Sequence, residues 1–193
     1  MNKIILIDGS YFLFNCFFET KKHYKSRLNQ NTEILDWNMD EYFIKKFTKK
    51  ISSNFYRISV HFKVPFKNII FVRDCPRETI WRLDMYEKYK QNRGKTVSHK
   101  KKTHYIGNLF KNIYSEYLPQ FCNKTGIDII KFDRLEADDV ISIYAKKYAE
   151  NNIVNIIARD KDYIQLISGN VYLYDLKFNK IGGNKNRNSL INK

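Results

Sequence analysis

Long apolar runs, paired cysteines and linker-like segments are all missing from this 193-residue chain. No apolar stretch approaches the roughly 18 residues that a membrane-crossing helix requires, so a transmembrane helix is excluded. Only three cysteines occur, Cys16, Cys75 and Cys122, widely spaced and without a Cys-x-x-Cys pair. A disulfide scaffold or zinc ribbon is therefore not expected. An intracellular, reducing compartment is, whether cytoplasm, nucleoid or a viral replication site. The three prolines, Pro65, Pro76 and Pro119, mark no linker, and no internal repeat is visible. Met1 to Asp8 carry neither a basic leader nor a small-residue cleavage site, so no secretory signal is expected.

What is abundant is positive charge. Thirty-five Lys+Arg face 20 Asp+Glu, a formal charge of +15. That surplus points to a polyanionic partner, nucleic acid before an anionic membrane surface. With 43% hydrophobic residues the chain is long enough to bury one good core.

Short β-branched runs recur along the chain: Ile4 to Ile7, Ile69 to Val72, Ile127 to Phe132, Val154 to Ala158 and Val171 to Tyr174. Each is nearly continuous in apolar character, as in strands buried on both faces of a parallel sheet. Between them lie helical spacings, such as Phe43, Phe47 and Ile51, then Leu109, Ile113 and Leu118, then Val140, Tyr144 and Tyr148. The alternation predicts an α/β fold with a central parallel sheet of about five strands flanked by helices. Ligands of such sheets bind at the carboxyl ends of the strands. From Lys177 to Lys193 there are five basic residues and no acid, so residues 177–193 read as a basic flexible tail.

The strand ends carry the chemistry. The first run ends at Asp8 and the second leads to Asp74. The third turns into Glu136, Asp138 and Asp139, and the fourth into Asp160 and Asp162. One acid at a strand end is ordinary, because Asp caps helices well. Seven on one rim repel one another and call for protons or divalent cations. Oxygen donors without cysteine or histidine favour a hard ion, Mg²⁺ or Mn²⁺. Two such ions would suit in-line attack at a phosphodiester, one activating water and one stabilising the leaving oxygen.

A basic, aromatic segment follows Asp74. Thr79 to Gln91 has helical composition, and Arg82, Tyr86, Tyr89 and Arg93 would share one face. From Lys88 to His104 there are seven Lys or Arg and no acid. Such interleaving suits phosphate contacts and base stacking, although a solvated amphipathic helix would look the same. The cysteines read as packing residues, and His99 and His104 have the wrong spacing for a helical metal pair.

Together, LIDGSYFLF from Leu6, DCPRETIWRLDMYEKYKQNRGK from Asp74, LEADDVI from Leu135 and ARDKDYIQLI from Ala158 resemble the 5′-nuclease family. That family comprises flap endonucleases, the 5′-exonuclease domain of bacterial DNA polymerase I and the phage ribonuclease H that removes primers. The arch segment looks closest to the phage ribonuclease H branch. The resemblance implies a PIN-like catalytic domain over residues 1–176, with a basic helical arch at about 76–108. It implies metal-dependent 5′-3′ exonuclease or flap endonuclease activity on DNA or RNA–DNA hybrids, removing primers or flaps in replication or repair. Asp8, Asp74, Glu136 and Asp138 would hold the first ion. Asp160 and Asp162 would hold or bridge to the second, with Asp139 contributing directly or through water. Lys90 and Arg93 would act catalytically on the scissile phosphate. Arg82, Tyr86, Tyr89, Lys95 and Lys161 would join them in binding nucleic acid.

The family's later Gly-Asp-x-Ser-Asp-Asn-like segment and its helix–three-turn–helix are not recognisable in this sequence. The second ion would then be held less firmly, and a separate C-terminal half or replication proteins would be partners. Two other readings stay open: a non-catalytic nucleic-acid-binding module, and a PIN-type ribonuclease. Neither needs a membrane.

Overall fold

The computed structural model describes residues 1–25, 37–90 and 106–182. The five expected strands and one further strand, numbered in chain order, form one sheet ordered β3-β2-β1-β4-β5-β6. They are β1 (Asn2–Asp8), β2 (Ile69–Val72), β3 (Asp128–Ile130), β4 (Asn152–Ile157), β5 (Val171–Tyr174) and β6 (Lys180–Ile181). The first five are parallel, as their apolar runs require; β6 pairs antiparallel with β5. Residues 177–182 therefore return along the sheet edge instead of beginning the expected flexible tail. The physical reason is Asp175, whose carboxylate accepts the backbone N–H groups of Lys177 and Asn179 and so closes the reversal. Residues 183–193 lie outside the described residues.

Helices cover both sheet faces. On one side stand α1 (Gly9–Lys25) and α2 (Glu41–Phe62). Beside them a helical segment at 106–112 passes through a π-helical turn, Ile113–Tyr117, into α4 (Leu118–Thr125). Pro119 explains the wide turn: its ring would collide with the carbonyl four residues back. The buried stripe of α2, Phe43, Phe47, Ile51, Phe55, Ile58 and Phe62, repeats the spacing read from the sequence. Leu109, Ile113 and Leu118 join the same core. On the other face α5 (Ala137–Ala149) packs Val140, Ile141 and Ala145 against Leu6, Val72 and Ile156. All three cysteines are free and buried, in keeping with a packing role. Among the described residues no helix is long and apolar enough to cross a membrane.

Helix α3 differs from expectation. The predicted helix over 79–91 is confined to Arg82–Met85, and Tyr86 is extended at φ −148°. Tyr89 and Lys90 then fold back to the acid at residue 136 instead of continuing one helical face. Charge pairing outcompetes a weak local helix here.

Strand β1 lies between β2 and β4, so the chain crosses over in opposite directions from it. A crevice opens at such a reversal, at the carboxyl ends of the strands. Gly9 sets how closely α1 enters there. A Cβ at that position would stand 2.6 Å from the Val72 carbonyl oxygen and 2.8 Å from the Phe71 ring. Gly107 is the opposite case, with nothing within 4 Å of an added Cβ. Gly9→Ala should lower unfolding stability by about 1–3 kcal/mol through overpacking. Gly107→Ala should raise it by up to about 1 kcal/mol through helix propensity. Denaturant titration of both variants checks the pair; equal effects would contradict the close approach at Gly9.

Candidate active site

At the carboxyl end of the sheet an open cavity of about 630 Å³ is lined by carboxylates from separate elements: Asp8, Asp74, Glu136, Asp138 and Asp160. Asp8 ends β1, and its side chain accepts the Tyr11 N–H at 2.9 Å, capping α1. It also accepts the Tyr163 hydroxyl at 2.9 Å. Asp74 follows β2 and accepts the Ala137 N–H at 2.8 Å, at the start of α5, together with the Ser10 hydroxyl. Glu136 is the N-cap of α5 and forms a capping box with Asp139. Asp160 caps the 3₁₀ helix Lys161–Leu166.

Burial pushes Asp8 up to about 6, and the charges of Asp74 and Asp138 push the same way against the hydrogen bonds from Tyr11 and Tyr163. Asp138 is also raised, by burial first and then by Asp139 and Glu136, with Arg82 opposing. The site is thus an array of carboxylates short of positive charge, and the arch foot supplies some. Lys90 Nζ lies 2.6 Å from Glu136 Oε1, and Arg82 donates to Glu136 Oε2 at 2.7 Å. The Tyr89 hydroxyl donates to the same carboxylate at 2.9 Å. Burial would lower Lys90, but the Glu136 and Tyr89 hydrogen bonds outweigh it and hold the ammonium above its usual range.

The predicted residues divide into those that line the cavity and those that do not. Asp8, Asp74, Glu136, Asp138, Asp160 and Lys90 line it; Asp139, Asp162, Lys161, Arg82, Tyr86 and Tyr89 do not. Asp139, expected near an ion, is instead the anchor of the arch foot. Arg82 grips it with two bonds of 2.7 and 2.9 Å, and Trp81 Nε1 and the Glu136 N–H donate to it at 3.1 Å each. Oδ2 accepts three of these bonds and Oδ1 one. Arg82 is correspondingly engaged with carboxylates rather than open to phosphate, its guanidinium 5.1 Å from the Trp81 ring centre and 5.7 Å from that of Tyr89. Tyr86 is exposed, and Arg93 and Lys95 lie outside the described residues. Ser10, Tyr11, Phe14, Arg159 and Tyr163 complete the lining and were not singled out from the sequence. Adjacency to Asp8 and Asp160 was their only signal.

Oxygen donors gathered in one cavity suit a hard divalent cation in kind. Among the described residues, however, no three acids, histidines or cysteines are placed to hold an ion as they stand. Glu136 is turned to Arg82, Tyr89 and Lys90, so its release from them is what ion binding there requires.

Asp8 gives a pH prediction for the ion-free protein. A carboxyl raised in the folded state to about 6 favours folding while protonated. That contribution is complete below the unfolded value of about 4 and is lost as pH rises through about 6. In EDTA, Asp8→Asn should raise Tm by several degrees at pH 8 and leave it nearly unchanged near pH 4. A lower Tm for the variant at pH 8 would contradict the electrostatic account.

Comparison with known proteins bears on the whole chain. A flap endonuclease, Xni, of Colwellia psychrerythraea is 33% identical over 100 residues, covering 51% of this chain and 31% of that protein. A 5′-3′ exonuclease of Mycoplasmopsis pulmonis is 29% identical over 171 residues, covering 89% of this chain and 47% of that protein. The chain spans about half the length, or less, of these curated relatives. Among solved structures, T5 5′-exonuclease with bound divalent metal ions (zinc) shares the fold at a TM-score of 0.63 and 18% identity, over 93% of this chain and 58% of that one. The T5 D15 flap endonuclease in a pseudo-enzyme-product complex with DNA and metal ions aligns at a TM-score of 0.61 and 16% identity, over 93% of this chain and 57% of that one. The 5′-3′ exonuclease N-terminal resolvase-like domain matches residues 3–191, and the chain belongs to that family.

Proposed function

We propose that this chain is the catalytic domain of a divalent-metal-dependent 5′-3′ exonuclease or flap endonuclease. Its substrates would be 5′-ended or flapped DNA or RNA–DNA hybrids in primer or flap removal. The observation that carries this reading is the convergence of Asp8, Asp74, Glu136 and Asp138 on one cavity, with Lys90 of the arch foot against them. The names of the relatives and the family match support the same reaction class. Mg²⁺ or Mn²⁺ fits the oxygen-only donors better than a softer ion.

Asp8, Asp74, Glu136 and Asp138 would hold the cation, with Asp160 in the same cavity lining. Bound there, a divalent cation supplies Lewis-acid stabilisation of the charge that develops on a phosphodiester under attack. The protein's own part is positional. Backbone N–H groups of Tyr11 and Ala137 and hydroxyls of Ser10 and Tyr163 orient Asp8 and Asp74, so these carboxylates need not rearrange during the reaction. Lys90 is a compact point charge on a flexible stem, able to exchange Glu136 for a phosphate oxygen. Arg82 is held by three carboxylates, Glu136, Asp138 and Asp139, and by two rings, and stays with them.

The test uses a 5′-end-labelled flap duplex with Mg²⁺ or Mn²⁺, comparing the wild type with Asp138→Asn and Lys90→Ala. Asp138→Asn should reduce cleavage by a factor of about 10² or more, and Lys90→Ala should reduce cleavage more than binding. Binding without any cleavage in the wild type would favour the non-catalytic module. Undiminished cleavage by Asp138→Asn would remove the site assignment.

A further inference from the structure

The cavity lining contains two cations in different states. Lys90 is spoken for by Glu136. Arg159, next to Asp160 in the chain, is exposed and makes no hydrogen bond or ion pair with any described residue. A guanidinium among five carboxylates would ordinarily pair with one of them. The Ala158 N–H bonds to the Tyr174 carbonyl at 3.0 Å, and one oxygen of Asp160 accepts the Asp162 N–H at 3.2 Å, capping the next 3₁₀ turn. Asp175 is near enough to feel the arginine's charge. Burial would raise that carboxyl, but hydrogen bonds from Asn179 and Lys177, with Arg159 adding to them, hold it below its ordinary value. The Asp175 oxygens already accept three N–H donors at 2.8–3.0 Å. Arg159 thus lies in the cavity lining with its own donors unspent.

We propose that Arg159 is a phosphate-binding residue of this cavity, gripping a backbone phosphodiester of the nucleic acid at the Asp160 end. The inference rests on the nuclease reading for the kind of anion and deepens it by dividing the cavity. Four carboxylates form a cation-binding end at Asp8, Asp74, Glu136 and Asp138. Beside the lining carboxylate Asp160, the adjacent Arg159 guanidinium disfavours a second cation and favours an anion. The planar fork of Arg159 suits two oxygens of one phosphate, which a lysine at the same place would hold only as a point charge. Lys161, one of the nucleic-acid-binding residues expected from the sequence, lies outside the lining.

The test measures binding of the full chain to a fluorescent 5′-flap DNA duplex in EDTA, over a range of KCl concentrations, alongside single-turnover cleavage in Mg²⁺. Arg159→Ala should weaken binding about five- to tenfold and reduce the slope of log K against log salt by about 0.9, the value for one duplex phosphate contact. Arg159→Lys should keep the slope and recover part of the affinity. Lys146→Ala, at an exposed lysine of α5 outside the cavity, is the control and should change neither. Arg159→Ala behaving like Lys146→Ala in affinity and slope would overturn the proposal and leave Arg159 as a counter-charge for Asp175. Wild-type binding without Asp138-dependent cleavage would remove the nuclease reading while the slope still decides Arg159. No binding by the wild type would remove both.

Discussion

Crowding of like charge at the carboxyl ends of β1, β2 and β4 is the constraint around which the rest of this molecule is arranged. Asp8 and Asp74 end adjacent strands, Glu136 and Asp138 stand at the start of the helix above them, and Asp160 faces them from the next strand. An ionised carboxylate in a partly dry cavity is unfavourable unless hydrogen bonds or opposite charge compensate it. The fold answers with the donors closest to hand. Backbone N–H groups at the first turns of α1 and α5 bind Asp8 and Asp74, and hydroxyls of Tyr163 and Ser10 complete them. Compensation is incomplete, which is why Asp8 rises to about 6. A site left short of positive charge is one prepared to accept it from a ligand.

The arch foot supplies two kinds of positive charge with different permanence. Arg82 and Trp81 close on Asp139, a carboxylate outside the cavity, through a planar two-bond contact backed by two aromatic rings. Such a contact is expensive to break and fixes the Trp81–Arg82 turn against α5. Lys90 closes on Glu136, inside the cavity, through one ammonium group. Arg82 also reaches Glu136 at 2.7 Å, so the two cations share that carboxylate. The same division accounts for the shortness of α3: four helical residues bring Arg82 to its partner, and the chain then opens so that Tyr89 and Lys90 reach Glu136.

Most of the sheet was legible because parallel strands buried on both faces leave continuous apolar runs, and the runs at Ile69–Val72 and Val171–Tyr174 coincide with the observed strands residue for residue. The stripe of α2 was equally plain, since one helical face carries six large apolar side chains. The segment from Arg82 to Lys90 was not legible. Its composition is helical, but long-range pairing with Glu136 places Tyr89 and Lys90, and pairing across nearly fifty residues leaves no local periodicity. Strand β6 was hidden for a similar reason: two residues held by an edge and an Asp-centred turn look like the start of a basic tail.

The sequence by itself determined the fold class, the order of the strands along the chain and the presence of acids at four strand ends, because each follows from local pattern and from the geometry of a parallel sheet. Only the tertiary structure decided which of the seven acids share a cavity. Asp139 and Asp162 sit one and two residues from cavity-lining acids, yet one is consumed by Arg82 and the other lies outside the lining. Helical rotation and capping separate neighbours in sequence onto different surfaces, and no spacing rule distinguishes them beforehand. The same holds for Arg159, an unremarked residue within a motif, which became distinct only when the partners of every surrounding carboxylate were known.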